Sequence, residues 1–336
     1  MPISVRSYAK INLGLAIGPL RRDGFHSLRT IYQTISLNDV VKVDVQRGLG
    51  IEMRCRDSRV PCDETNTCWR VAERVLKAVK IRQKILITIE KNLPVQGGLG
   101  AASSNAVATL LALERALGVV LEPEQRLQIA SEVGSDLPLF LIGGTVLGLG
   151  RGEEVFPLGD LPVAHLVLVT PEIGISTPRA FADWDTQFGA AAKDRAASGL
   201  TSPGSSATID VFSQRVFAWL TAGLPRAAAG STAGVPTKSG GRAETPLLDL
   251  VRAGIENDFE SVVFPKHPEL REVKRGLERV GAKYASLSGS GSTVYGLFDS
   301  AEQAQAAAQK LVEGGTTAYT ASTLTRQQYW RGIFGT

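Results

Sequence analysis

The segment KNLPVQGGLGAASS, Lys91–Ser104, decides how this 336-residue chain is read. Before it, Ile85, Ile87 and Ile89 recur at the two-residue period of a strand, and after it an Ala/Leu-rich run continues as a helix to Gly118. The order is strand, glycine loop, helix. Glycine lets a backbone approach a ligand closely, and free amides at a helix amino terminus favour an anion. The run Pro94, Val95, Gln96, Gly97, Gly98, Leu99, Gly100, Ala101, Ala102, Ser103, Ser104 can therefore cradle a di- or triphosphate. The lysine and spacing of GxxxxGK[ST] are absent, as is GxGxxG, which argues against a P-loop or a dinucleotide site. A glycine-rich strand-to-helix turn can equally bind nothing, so the loop alone leaves both readings open.

Outward from the loop, apolar residues between Ile11 and Ile17 alternate with Asn12, Gly14 and Ala16, the period of a strand with one buried face. Val41, Val43 and Val45 repeat that pattern. Cys68, Val71, Val75, Leu76 and Val79 fall at helical spacing after Thr65 and Asn66, either of which can cap. A helix is expected from about Glu122 to Val133, and SDLPLFLIGGT reads as a loop leading into a strand. Ala164–Thr170 looks like a buried strand opening a second domain, which puts the division near Leu161 and Pro162, giving domains 1–162 and 163–336. From about Gly189 to Thr245 the chain is rich in Ala, Gly, Ser, Thr and Pro, and one helix is expected in its hydrophobic island VFSQRVFAWL. Helices through Val280, strands at Tyr284–Leu287 and Thr293–Phe298 around the loop SGSGS, a helix at Ala301–Val312 and a last strand near Ala318–Leu324 complete an α+β layout.

The bulk properties narrow the function. No apolar run approaches the roughly 18 residues of a membrane span, so a membrane protein is not expected. The amino terminus lacks a secretory signal, since Arg6 and Lys10 interrupt it, and the cytoplasm is the default location. Cys55, Cys62 and Cys68 are spaced unlike any zinc site and read as reduced. The net charge of +4 is spread along the chain rather than gathered with aromatics, which suits a small anionic ligand as well as a nucleic acid. The sequence does not set an oligomeric state.

PVQGGLGAASS resembles the PxxxGLGSSAA signature of the superfamily of galactokinase, homoserine kinase, mevalonate kinase and phosphomevalonate kinase (GHMP), with Ala102 and Asn105 departing from the commonest pattern. Segments near the amino terminus and at Ser288–Ser292 resemble its other two motifs in order and spacing. SYAKINLGL, RRDGFHSLRTIYQ, GSDLPLFLIGGTVLGLGRGE, PEIGISTPRAF and NDFE are similar to one branch, the kinases of a cytidine diphosphate-linked methylerythritol. The resemblance spans most of the chain outside the 189–245 insert.

It implies the two-domain GHMP kinase fold, ATP on the Pro94–Ser104 loop with Asn66 near the nucleotide, and transfer of phosphate to an alcohol. Such transfer needs positioning, neutralised phosphate charge and an acceptor for the hydroxyl proton. Asp136 is the candidate base, although an aspartate after Gly134 and Ser135 is ordinarily a cap or turn residue. Lys10 would sit beside it, polarising the hydroxyl or stabilising the transferred group, where a strand lysine is ordinarily just solvated. Asn12, two residues on and on the same face, could bind substrate. At the cytidine end the resemblance implies stacking on Phe25 and Phe181, near Thr177, and hydrogen bonding by His26. Taken singly, each ring reads as core and the histidine as structural. Where the family commonly has tyrosine this chain has Phe25. Mg²⁺ is expected with ATP, with Ser104 and Glu153 as candidate ligands. The rivals are another GHMP kinase, acting on mevalonate, homoserine or a sugar; a non-catalytic binder on the same fold; and, more remotely, a nucleic-acid binder.

Overall fold

The computed structural model describes residues 1–95, 97–189 and 256–335, so Gln96 and the helix expected in VFSQRVFAWL lie outside the described residues. Two antiparallel-rich sheets organise the rest. Strands β1 (Ile3–Leu20) and β2 (His26–Gln46) form a long hairpin in which Lys10 pairs with Thr34 and Asn12 with Tyr32. Along β2, Val40–Gln46 pair with β4 (Lys84–Glu90) and Thr30–Gln33 with β5 (Thr145–Leu149). The parallel strand β3 (Gly50–Cys55) and the antiparallel β6 (Glu154–Pro157) complete this six-stranded sheet. The second sheet runs in the order β10 (Ala318–Ser322), β7 (His165–Val169), β9 (Val294–Phe298), β8 (Tyr284–Leu287).

The first sheet is covered by α1 (Thr67–Val79), α2 (Ala101–Leu117) and α3 (Pro123–Val133), whose buried faces form one core with Val41, Val43, Ile85 and Ile87. Asn66 is the residue that caps α1, its side-chain oxygen accepting from the Cys68 amide at 2.8 Å. SDLPLFLIGGT departs from the loop expected: Leu137–Phe140 coils into a short helix, α4, because Pro138 suits the first turn and all four side chains are buried. In the second half, α5 (Thr177–Trp184), α6 (Glu260–Lys266), α7 (Pro268–Arg279) and α8 (Ala301–Glu313) pack on the second sheet.

Three features were not read from the sequence. Strand β1 is buried on both faces from Ser7 to Gly18, although its alternation suggested one, because β7, β9 and the loops of both halves close over it. Ile11 and Leu13 join Leu93, Leu99, Leu166 and Tyr295 in a core between the sheets. The chain also continues past β10 into a helix, α9 (Arg326–Ile333), with a capping box of Thr325 and Gln328. That helix returns to the first half, where Tyr329 packs beside Tyr8 and donates to the Phe140 carbonyl at 2.6 Å. Arg326 donates to the carbonyls of Thr145 and Leu158.

Candidate active site

The glycine loop and the SGSGS loop interlock. Gly98 takes a φ of +74°, and a Cβ on it would stand 2.1 Å from the Ser288 carbonyl oxygen, so neither conformation nor space admits a side chain. Ser288 Oγ donates to the Gly98 carbonyl at 3.0 Å and the Thr293 amide to that of Gly97 at 3.2 Å. Gly100, at +67°, opens α2, and a Cβ there would reach the Lys10 stem at 3.0 Å. The Lys10 amide donates to Leu99 at 3.0 Å, joining β1 to the loop. The amino-terminal turn of α2 thus faces the start of the Lys10 side chain, with Ser104 buried behind it.

The entry to the loop is braced by a residue that sequence reasoning missed. Asp39 is fully buried; its oxygens accept from the Lys91 ammonium, the amides of Asn92 and Leu93 at 2.7 and 2.8 Å, and the Asn105 side chain at 3.0 Å. One carboxylate therefore holds both ends of the glycine segment. A lone aspartate in the NDV run of β2 gave no signal, because its partners lie more than fifty residues away.

Lys10 and Asp136 come together as expected: the ammonium is 3.5 Å from Asp136 Oδ2, with side-chain exposures of 5% and 35%. Lys10 Nζ also donates to Asn12 Oδ1 at 2.7 Å, and Asn12 is held in turn by Thr30 Oγ1 at 2.8 Å. Asp136 stands at the start of α4 but makes no side-chain cap hydrogen bond there. Its Oδ1 accepts instead from the Tyr32 hydroxyl at 3.1 Å. Gly289 of the SGSGS loop lies over this group, a Cβ there being 3.5 Å from both Lys10 Nζ and Asn12 Oδ1. A buried cation, a partly open carboxylate and two backbone-lined loops form a setting for proton abstraction beside a bound anion.

His26 is buried at the far end of the hairpin, its Nδ1 2.8 Å from the Gly18 carbonyl. Nε2 is itself buried and lies 3.0 Å from Asp185 Oδ1. The Phe181 ring lies parallel over His26, 5° between planes and 5.3 Å between centres. Phe25 is 51% exposed and carries the Arg151 guanidinium 5.0 Å above its ring. Thr177, at the start of α5, shares a hydrogen bond with Ser290 of the SGSGS loop at 2.8 Å. The segment that bears Phe181 is thereby joined to that loop.

A cavity of about 330 Å³ opens beside the glycine loop, lined by Val60, Pro61, Asn66, Cys68, Ile89 and Pro94–Val95 among others. Its apolar walls suit a flat heterocycle. Asn66 lines it while using its side chain for the α1 cap and a bond to the Pro61 carbonyl at 2.7 Å. Both Glu153 oxygens are taken up by Arg151, and among the described residues no group of three or more His, Cys, Asp or Glu could hold a metal ion. Cys55, Cys62 and Cys68 are free thiols, with burial pushing that of Cys68 up to about 12. Among the described residues, no helix is long and apolar enough to cross a membrane.

The chain matches two family models, the GHMP kinases N terminal domain over residues 66–144 and the GHMP kinases C terminal over 243–316. It is 36% identical over 330 residues to the 4-diphosphocytidyl-2-C-methyl-D-erythritol kinase of Solibacter usitatus (strain Ellin6076), covering 97% of this chain and 91% of that one. It is 32% identical to the protein of that name from Caldanaerobacter subterraneus subsp. tengcongensis, covering 90% of each. A crystal structure of 4-(cytidine 5'-diphospho)-2C-methyl-D-erythritol kinase superposes with a TM-score of 0.68 at 25% identity, over 95% of this chain and 98% of that one. Homoserine kinase from Cytophaga hutchinsonii, 21% identical with a TM-score of 0.67 over 98% and 96% of the two chains, shares the fold. The chain therefore belongs to the GHMP kinases and, within them, to the family of 4-diphosphocytidyl-2-C-methyl-D-erythritol kinases.

Proposed function

We propose that this chain transfers the γ-phosphate of ATP to the 2-hydroxyl of 4-diphosphocytidyl-2-C-methyl-D-erythritol, a step of the non-mevalonate route to isoprenoid precursors, in the cytoplasm. The single observation that carries the chemistry is the approach of Lys10 to Asp136 beneath the interlocked loops. Asp136 accepts the hydroxyl proton as the oxygen attacks the γ-phosphorus, the bond from that phosphorus to the β,γ-bridging oxygen breaks with ADP leaving, and Lys10 offsets the charge that gathers on the transferring group. The amides of Gly97–Ser104 hold the phosphates, and the apolar cavity beside Asn66 takes the adenine. Phe25, His26, Thr177 and Phe181 form the cytidine end, supported by the stacking of the Phe181 ring on the buried His26 imidazole. Asn12 orients Lys10 and reaches the methylerythritol.

Among the described residues, Ser104 is buried and both Glu153 oxygens are taken up by Arg151, so neither stands open to a metal ion. We infer that Mg²⁺ arrives as the ATP complex, held by phosphate oxygens and water, where it screens phosphate charge. We draw the division of the chain at 1–162 and 163–336, in the connection between β6 and β7, with α9 crossing back.

Asp136→Asn tests the base assignment. Turnover is expected to fall by about 10²–10⁴-fold while ATP binding, followed by calorimetry, stays within a factor of two. Retained turnover would remove Asp136 from the reaction.

A further inference from the structure

We propose that Tyr32 is a positioning residue for the transfer, its buried hydroxyl fixing the Asp136 carboxylate so that one oxygen is held and the other faces Lys10. The proposal rests on the reading of Asp136 as the proton acceptor.

Three observations converge on it. Tyr32 sits in the middle of the sheet, paired with Asn12 on β1 and Val146 on β5, and is 2% exposed, so its ring has one place to be. From there the hydroxyl donates to Asp136 Oδ1 at 3.1 Å, while Lys10 Nζ stands 5.5 Å over the ring and 3.5 Å from Oδ2. Asp136 makes no cap bond to its own helix, so its orientation is set by neighbours rather than by its backbone.

The surroundings are cut to the tyrosine. A Cβ on Gly152, whose φ is +106°, would stand 2.4 Å from the Tyr32 hydroxyl, and one on Gly148 would stand 2.5 Å from the ring edge. Two glycines thus leave room for a ring and for the oxygen at its tip. Burial first, and the Asp136 charge second, hold this phenol well above the ordinary range, so it remains a donor to the carboxylate. A carboxylate free to rotate about its last bond presents the accepting lone pair to the substrate hydroxyl only part of the time. A hydrogen bond to one carboxylate oxygen narrows that freedom before substrate arrives.

The test uses the full chain in four forms: the parent, Tyr32→Phe, Asp136→Asn and the double variant. Steady-state kcat, KM for ATP and the melting transition are measured for each. Tyr32→Phe keeps the ring and leaves no buried group without a partner, because Asp136 reaches solvent. It is expected to lower kcat about tenfold with KM for ATP unchanged and the melting point within about 3 °C. In the Asp136→Asn background the same change should move the residual rate by less than about twofold, as expected for a residue acting through Asp136. Unchanged kcat in Tyr32→Phe overturns the proposal, as does an equal loss in both backgrounds or a loss matched by weakened ATP binding and early melting. Wild-type turnover in Asp136→Asn alone overturns the base assignment itself, a pattern distinct from these.

Discussion

Asp136 and Asn66 both stand at helix starts, and the sequence offers each the same ordinary role of cap. The structure separates them. Asn66 spends its oxygen on the Cys68 amide and its amide on the Pro61 carbonyl, whereas Asp136 leaves its helix uncapped and turns to Lys10 and Tyr32. The pair Lys10 and Asp136 was legible only through the resemblance, since nothing in their separation of 126 positions brings them together. Tyr32 was not legible, because in RTIYQT it has the look of an ordinary buried strand aromatic, and only the turn of α4 supplies its partner. The structure places His26 as a buried imidazole whose Nδ1 meets the Gly18 carbonyl and whose Nε2 faces Asp185. His26→Ala should raise KM for the cytidine substrate by about 10–100-fold, the worth of a hydrogen bond or two in a desolvated slot, with KM for ATP and kcat within about twofold. Initial rates with each substrate varied in turn would check this, and a rise confined to ATP would place the imidazole at the other end of the site.

Among the elements, the glycine loop was the best-read part of the chain. Strand, loop and helix fall where their residues predict, with β4 ending at Glu90 and α2 beginning at Ala101. The small residues of SGSGS allow a second loop to pack close to the phosphate site, but the contact of Gly98 with Ser288, across 190 residues, is marked by neither segment. The bracing of the glycine loop by Asp39 is unmarked too. Removing that carboxylate with Asp39→Ala leaves the nearly buried Lys91 ammonium and two loop amides without their acceptor. Such a loss costs roughly 3–5 kcal/mol. Urea unfolding should report it, together with weakened ATP binding. A stability loss under about 1 kcal/mol would show that the network is dispensable to the loop.

In the molecule as a whole, two returns of the chain bind the halves together. The NDFE segment after the undescribed stretch is the first. Asn257 donates to the carbonyls of Leu287 and Gly289 at 2.8 and 2.7 Å, holding the SGSGS loop, while Asp258 Oδ2 accepts from the Ile17 amide on β1 at 2.7 Å. The resemblance singled out NDFE without giving it work; the contacts supply it. The second is α9, whose capping box of Thr325 and Gln328 lies in TRQQ just past the last strand. Both returns add to the cover that β7 and β9 place over β1.

Asp258 makes this junction sensitive to pH. Burial raises its carboxyl from 3.8 to about 6, so the folded chain keeps a proton that the unfolded chain has released. Stability from this group is therefore greatest below pH about 4 and declines as pH rises toward and through 6. Asp258→Asn keeps an acceptor for the Ile17 amide and removes the charge. It should be close to neutral near pH 4 and stabilising by roughly 1–2 kcal/mol at pH 7.5, allowing for the group's partial exposure. Melting curves across that range would check the sign, and destabilisation at pH 7.5 would show that the charge itself supports the junction.

The identity of the acceptor separates this chain from the other GHMP kinases. Purified protein with Mg²⁺ and ATP should be offered 4-diphosphocytidyl-2-C-methyl-D-erythritol, mevalonate and homoserine in parallel, and the products followed by phosphorus NMR. A new phosphomonoester on the 2-position of the cytidine compound, with the other two unchanged, is the predicted result. Transfer to mevalonate or homoserine, with the cytidine compound left intact, would contradict it.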